Sequence, residues 1–333
     1  MGSGMWSTAT YTAATKSKID TGASFAYDRY ARSNGVYEPH ESLDPLKVAA
    51  KGYIESRDSA DHPNSVPIIL GLDQTGSMGR VPRTVQTKLK GLFELLLLRG
   101  YIEDPQIAIS AYGDLYCDPV RSAVQFSNFE SDNRIDDALD NLLLYGGGGG
   151  NGGETMTGLW YMMTKVESDA WDKRQKKGYA FIVADEIALD LLPEHVKEFA
   201  GDGEPTAPLT VKALADRVQE KWNVIILLIN NGTARYQQSE KFYTELFGKK
   251  NVLVLEEAES VTETIALSLG ILEGTLDIAD AADDLKSTGS NELVVKDSVE
   301  AIQAAGLANL AQGGKVVKAN DEVTIGTGRA TRL

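Results

Sequence analysis

The chain of 333 residues is 42% hydrophobic and 24% charged, the balance of an ordinary globular protein with enough apolar mass for a sizeable core. Its 48 acidic residues against 33 basic ones leave a formal net charge of −15, which argues against a nucleic-acid backbone or an anionic membrane as the main partner and suits metal cations or basic partners. The single cysteine, Cys117, excludes an internal disulfide framework, fits a reducing compartment and reads as a small buried apolar residue.

Residues 1–65 are polar, rich in Ser, Thr and Ala, and dotted with aromatics (Trp6, Tyr11, Phe25, Tyr27, Tyr30, Tyr37). They read as an N-terminal extension without a periodic pattern before Leu43, and the aromatics predict that it folds by lying on something else. The opening stretch MGSGMWSTATYTAATKSK has no apolar signal core, and the longest apolar runs, FELLLL and VIILLI, are too short to span a bilayer. The expectation is a soluble, cytoplasmic protein.

From Val66 the pattern changes. VPIILGL is a strand of the fully buried type. A helix follows with Val85, Leu89, Leu92, Phe93 and Leu96 on one face, Pro82 in its first turn and Gly100 past its end. QIAISA and SAVQFS are the next strands; their connection is too short for a helical crossover and predicts an antiparallel pair. Ser131 is placed to cap a helix carrying Ile135, Leu139, Leu142 and Leu143. After the glycine run 146–150 a helix is predicted from Met156 to Trp171, then the strand YAFIVAD, a helix over 208–222 capped by Thr210, the strand VIILLI, a helix over 235–247 closed by Gly248, and the strand NVLVLE. Ser260 and Glu263 have the spacing of a capping box opening a helix that ends at Gly274.

Strands alternating with helices, and apolar along their whole length, define an α/β domain over residues 66–275. It is a Rossmann-like, doubly wound, mostly parallel sheet with one antiparallel edge strand and helices on both faces. Residues 276–333 read as a C-terminal extension with one helix near 297–310 and the basic tail GRATRL.

Ligands of open parallel sheets sit at the carboxyl ends of the strands. Three stretches lie there: DQTGSMG after the first strand, GGGGGNGGETMTG between the two middle helices, and DE ending YAFIVAD. Asp73, Thr75 and Ser77 alternate, so one carboxylate and two hydroxyls can point the same way, and Asp185 adds a carboxylate from another strand end. Oxygen donors without histidine suit Mg²⁺, or Mn²⁺ or Ca²⁺, rather than Zn²⁺ or Cu²⁺. The competing reading is that Asp73 and Ser77 merely cap the following helix.

DQTGSMG resembles the Asp-x-Ser/Thr-x-Ser loop of von Willebrand factor type A (VWA) domains, and the resemblance extends in element order over roughly 66–275. It implies a metal-ion-dependent adhesion site in which Asp73, Thr75, Ser77 and Asp185 hold a divalent cation. One coordination position is left for an acidic residue of a protein partner. The family's second-loop threonine has two candidates here, Thr155 and Glu154, because five glycines and NGGET replace the usual short glycine pair. The wording HPNSVPIILGLDQTGSMG, GDLYCD and GGGGGN is similar to bacterial and phage-encoded proteins with this domain, which implies that Asp114, Glu154 and Glu186 share one rim. In many bacterial relatives of the domain the partner is an AAA+ ATPase.

Other readings are weaker. GGGNGG at 148–153 matches G-x-G-x-x-G but follows a helical segment rather than a strand, and no G-K-[ST] is present. PEHVKE holds one histidine, His195, read as a surface helix residue, and the strand-to-helix turn is not G-x-S-x-G. The function expected is therefore a metal-dependent protein-interaction module without catalytic residues, in a bacterial or phage assembly. The alternatives are a phage virion or scaffold protein that self-assembles, and a Mg²⁺-dependent phosphohydrolase on Asp73, Asp185 and Glu186. The latter needs an arginine aimed at phosphate, for which Arg80 and Arg83 are the nearest candidates.

Overall fold

The computed structural model describes residues 6–7, 9–10, 12–13, 25–50, 54–148, 150, 152–230, 232 and 235–308. Ahead of the first apolar run lie α1 (Ala26–Asn34), α2 (Pro45–Ala50) and the short strand β1 (Ile54–Ser56). The run itself is β2 (Val66–Asp73), followed by a single 3-10 turn and α3 (Val81–Phe93). Next come β3 (Pro105–Tyr112), α4 (Val120–Ala123), β4 (Val124–Phe126) and α5 (Arg134–Asp140). The glycine run leads to α6 (Met156–Thr164), β5 (Val166–Ser168) and α7 (Asp169–Arg174). The second half alternates β6 (Gly178–Ala184), α8 (Pro193–Ala200), α9 (Val211–Lys221), β7 (Trp222–Ile229), α10 (Arg235–Phe247), β8 (Val252–Leu255) and α11 (Val261–Glu273). The described chain closes with α12 (Ile278–Ser287) and α13 (Glu292–Ala305).

The six strands predicted from the sequence form one sheet in the order β4-β3-β2-β6-β7-β8. All neighbours are parallel except β3 and β4, which pair antiparallel with Ala111 opposite Gln125. Alternate residues serve opposite layers. Ile68, Leu70 and Leu72 of β2 join a core with Val85, Phe93, Ile265 and Leu269 of α3 and α11, whereas Ile69 joins Leu159 and Trp160 of α6, Leu214 of α9 and Tyr243 of α10. With roughly 1.5–3 kcal/mol for each large apolar side chain taken fully out of water, burial on both faces fixes the strand register. A slip of one residue would exchange the two layers.

Several local expectations are corrected. The helix predicted over 156–171 stops at Thr164. Val166–Ser168 instead pairs parallel with β1, Ile54 opposite Val166, and Ser168 caps α7 by accepting the Trp171 amide. The Ser260–Glu263 capping box does not form. A 3-10 turn over Ala258–Ser260 runs straight into α11, and the Glu263 carboxylate accepts from Lys88, Thr262 and Ser290 instead. Helix α5 starts behind Asn133, two residues beyond Ser131. Two helices, α12 and α13, follow Gly274 where one was expected, and Leu276, Leu285, Val295 and Ile302 enter the same core as β2. The side chain of Leu89, and the GRATRL tail, lie outside the described residues.

The N-terminal arm does lie on the domain. Trp6 stacks on Phe93 with ring centroids 3.9 Å apart and planes 7° from parallel, and Phe25 is fully buried. The amide of Phe126 in β4 donates to the Leu43 carbonyl at 2.8 Å, so the arm also covers that strand's outer side. Among the described residues no helix is long and apolar enough to cross a membrane.

Candidate metal centre

Strand β2 is where the sheet reverses direction: the chain leaves it toward β3 and β4 on one side and resumes with β6, β7 and β8 on the other. Clefts in open α/β sheets form at the carboxyl ends of the strands beside such a point. Asp73 is the last residue of β2, and Asp185 the first past β6, its parallel neighbour. Both carboxylates are buried.

Asp73 Oδ1 accepts the Thr75 amide at 2.8 Å and the Thr75 hydroxyl at 2.6 Å. Thr75 Oγ1 lies 3.2 Å from Ser77 Oγ. Thr75 is extended, with φ −70° and ψ 166°, before the 3-10 turn Gly76–Met78, and this is how alternate side chains come to share one side. The Asp73 carboxylate therefore bonds to Thr75 rather than to the amides of α3, against the reading of it as a helix cap. Its other oxygen, Oδ2, is buried without a hydrogen-bond partner among the described residues.

Of the two second-loop candidates, only Glu154 presents a carboxylate oxygen to this point. Glu154 Oε1 and Thr75 Cβ each lie 3.4 Å from the position a Cβ on Gly148 would take, and Glu154 Oε2 is buried without a partner among the described residues. Its backbone is held by the Ile187 carbonyl and the Leu189 amide, both at 2.9 Å. The Thr155 hydroxyl is occupied elsewhere: it donates to the Gly113 carbonyl at 2.9 Å and accepts the Leu115 amide at 2.6 Å. Thr155 thus fastens the Asp114 loop rather than facing Asp73.

That loop supplies residues the sequence reading did not assign. Asp118 Oδ2 accepts the Asp114 amide and Oδ1 the Gly148 amide, both at 2.9 Å, bridging GDLYCD to the glycine run. The run is further tied by Gly146 N to the Gln74 carbonyl at 3.1 Å and by Gly76 N to the Gly147 carbonyl at 2.9 Å. Below it, Gln125 Nε2 donates to Gln74 Oε1 and to the Leu143 carbonyl, each at 2.8 Å, while Gln74 Nε2 donates to the Ser122 carbonyl. The N-terminal arm joins in: the buried Asp28 accepts the Leu144 amide at 3.0 Å, and Arg32 bonds both Asp28 and the Leu144 carbonyl. The signals present in sequence were the i, i+4 pairs Asp114/Asp118 and Asp28/Arg32. Neither spacing by itself says what the pair holds.

The fourth side is the β6 end. Ser239 of α10 donates to the Asp185 carbonyl at 3.1 Å, Tyr243 donates to the Glu186 carbonyl at 2.8 Å, and Arg235 pairs with the Glu186 carboxylate. His195 is buried rather than a surface residue, its ring edge-on to Tyr116 at 5.1 Å, and Cys117 is exposed rather than buried.

Burial, then the Asp185 charge, pushes the Asp73 carboxyl up to about 8. Burial, then the Asp73 and Asp114 charges, pushes Glu154 up to about 10. Burial and the same anions raise the phenols of Tyr112 and Tyr243 well above their ordinary range. The cluster is an anionic hole: buried carboxylate oxygens and hydroxyls that a hard cation would satisfy. Among the described residues no three His, Cys, Asp or Glu side chains are placed to hold one metal ion together. The donor set that meets at Asp73 is one of carboxylate and hydroxyl oxygens, which fits Mg²⁺, Mn²⁺ or Ca²⁺. Beside it opens a small cleft lined by Asp73, Thr75, Gln74 and Gly146 together with Arg32 and Arg83, whose guanidinium groups lie against Asp28; Arg80 does not line it.

No protein-family model and no curated protein matches the chain. Among solved structures, the pilus adhesin SpaC from Lactobacillus rhamnosus GG in its open conformation aligns over 63% of this chain and 30% of its own, with a TM-score of 0.43 and 11% identity. A second form of SpaC aligns with a TM-score of 0.44 and 12% identity over 63% of this chain and 31% of its own. Proximal thread matrix protein 1 from the mussel byssus aligns over 62% of this chain and 48% of its own, with a TM-score of 0.41 and 14% identity. This chain thus spans less than half the length of each, and the likeness is one of chain path.

Proposed function

We propose that the chain is a metal-dependent protein-interaction module of the VWA type. Asp73, Thr75 and Ser77, with Asp185 from the adjacent strand end, hold a divalent cation there, and Glu154 closes the site from the glycine loop. When bound, the ion supplies a positive centre at the sheet edge and a coordination position for a carboxylate of the partner. The chain's own residues do the rest. Thr75 and Asp118 fix the two loops, Tyr243 and Ser239 fix the β6 end, and the Arg32–Arg83 cleft offers charge of the sign an acidic partner segment needs. The observation that carries this reading is the fully buried Asp73 Oδ2, without a hydrogen-bond partner among the described residues, beside two hydroxyls at the switch point of the sheet.

The test is titration calorimetry with Mg²⁺ and Mn²⁺. The wild-type chain binds, and Asp73→Ala loses binding while keeping its circular dichroism; unchanged binding would falsify the ligand set. The same two arginines favour a second reading, a Mg²⁺-dependent phosphohydrolase, in which a phosphate beside Asp73 would draw Arg32 and Arg83 away from Asp28. Absence of turnover on a broad phosphate-ester panel with Mg²⁺ or Mn²⁺ removes it.

A further inference from the structure

The site carries more buried carboxylate than one divalent ion can balance. Asp73, Asp185, Glu154 and Asp114 are all more than nine-tenths buried. Glu186 is excluded from this count because Arg235 pairs with it. With all four ionised, one divalent ion leaves the summed charge of the cluster negative, in surroundings where net buried charge is expensive. The residual negative field would also repel the acidic partner proposed above.

Geometry divides the four into two pairs. Asp73 and Asp185 end adjacent strands, whereas Asp114 and Glu154 sit on two loops joined side by side. Gly113 and Leu115, which flank Asp114, both bond to Thr155, the residue after Glu154, through the contacts of 2.9 Å and 2.6 Å already described. The Thr155 amide adds a third bond to the Gly113 carbonyl at 3.2 Å. Asp114 is fully buried, and its Oδ1 accepts the Tyr116 amide at 3.0 Å, but Oδ2 has no hydrogen-bond partner among the described residues. Glu154 Oε2 has none either, at 6% exposure. Two unsatisfied carboxylate oxygens thus sit on neighbouring backbones, and no described cationic side chain pairs with either. Glu154 feels the charges of both Asp73 and Asp114, so it faces the two positions at once.

We infer that Asp114 and Glu154 form a second hard-cation position next to the Asp73–Asp185 one, with Glu154 lying between the two ions. The second ion neutralises the remaining pair of carboxylates and leaves the rim able to accept an acidic partner. This rests on the reading of the Asp73 site, and the test separates the two.

The full-length chain is stripped with EDTA and equilibrated with Mn²⁺, and bound Mn²⁺ per chain is counted by dialysis and elemental analysis. The electron paramagnetic resonance spectrum reports magnetic coupling between neighbouring ions. Wild type takes two ions with a coupled signal. Asp114→Asn, which keeps the oxygen that accepts the Tyr116 amide, takes one ion with an uncoupled signal. Glu154→Gln, on the other loop, likewise loses the coupled signal and binds fewer than two. One ion in wild type, unchanged in Asp114→Asn but lost in Asp73→Asn, overturns the second position and leaves the first intact. No bound Mn²⁺ in wild type overturns both.

Discussion

The carboxylate of Asp118 occupies the space in which Gly147 would carry a side chain: a Cβ built on Gly147 falls onto Asp118 Oδ1 and against the Tyr145 ring. The start of the glycine run, Gly146 to Gly148, is therefore a closely packed strap, held by Asp118 through the Gly148 amide. Its glycines are needed for proximity here, and at Gly148, with φ +102°, for a backbone conformation other residues rarely adopt.

Gly147→Ala should accordingly push Asp118 off the Gly148 amide. We expect a loss of about 1–3 kcal/mol, the usual cost of overpacking a tight site, together with weaker Mn²⁺ binding. Gly150→Ala supplies a control for space, since a Cβ there meets nothing within 4 Å, although its φ of +68° adds local strain. Urea midpoints and calorimetry on both variants check this. A Gly147→Ala chain that binds and unfolds like wild type contradicts the packing described.

Stability without cation should fall as pH rises. Asp73 and Glu154 titrate at ordinary values of 3.8 and 4.5 when unfolded and are raised to about 8 and about 10 when folded. Between those limits the folded chain binds more protons than the unfolded one. Their contribution is complete below pH about 4 and is lost through pH about 8 to 10. Asp58 and Asp202, depressed to about 2, act with the opposite sign but below that window. Melting temperatures in EDTA should decline from pH about 5 to about 9, Mg²⁺ should reduce the decline, and Asp73→Asn should make it shallower, with Glu154 carrying the remainder. A temperature that holds level or climbs in EDTA contradicts the assignment.

Thr155 and Glu154 should separate cleanly on mutation. Thr155→Val leaves the buried Leu115 amide without its acceptor, an expected cost of about 1–3 kcal/mol. The Gly113 carbonyl keeps the Thr155 amide. Glu154→Gln should cost little or even stabilise the cation-free chain at neutral pH, by removing a carboxyl that must take up a proton on folding, while reducing cation affinity at least tenfold. The reverse pattern, with Thr155→Val weakening the cation and sparing the fold, would return the ligand role to the threonine.

Trp6 should report on the N-terminal arm. Removing its stack on Phe93 with Trp6→Ala is expected to lower stability by about 1–2 kcal/mol, of which roughly 0.5–1.5 kcal/mol is specific to the ring pair. A double-mutant cycle with Phe93→Leu isolates that part. Strict additivity of the two substitutions would show that the rings do not interact in solution.

Most of the six sheet strands were legible because they are apolar runs, and burial on both faces leaves no other use for such a run; β4, with Gln125 between Val124 and Phe126, was legible by alternation instead. The β1–β5 pair was not: Ile54–Ser56 and Val166–Ser168 are three residues each, and Val166 continues the apolar spacing of α6. The convergence of Asp73, Thr75 and Ser77, and the place of Asp185 at the neighbouring strand end, were legible because strand ends and side-chain alternation are local properties. Whether Glu154 or Thr155 faces the site was not, since the answer lies in hydrogen bonds to Gly113 and Leu115, some forty residues earlier. Arg32 was hidden for the same reason. Its position depends on where a polar arm with no periodic signal comes to rest.

The bond from Phe126 to Leu43 has a wider effect. Open edges of sheets invite strands from other molecules, and proteins blunt them by shortening or covering the last strand. Here β4 is only three residues long and already gives an outward amide to its own chain. The sheet is consequently closed to lengthening by another copy on that flank, and encounters there are left to side chains rather than to backbone.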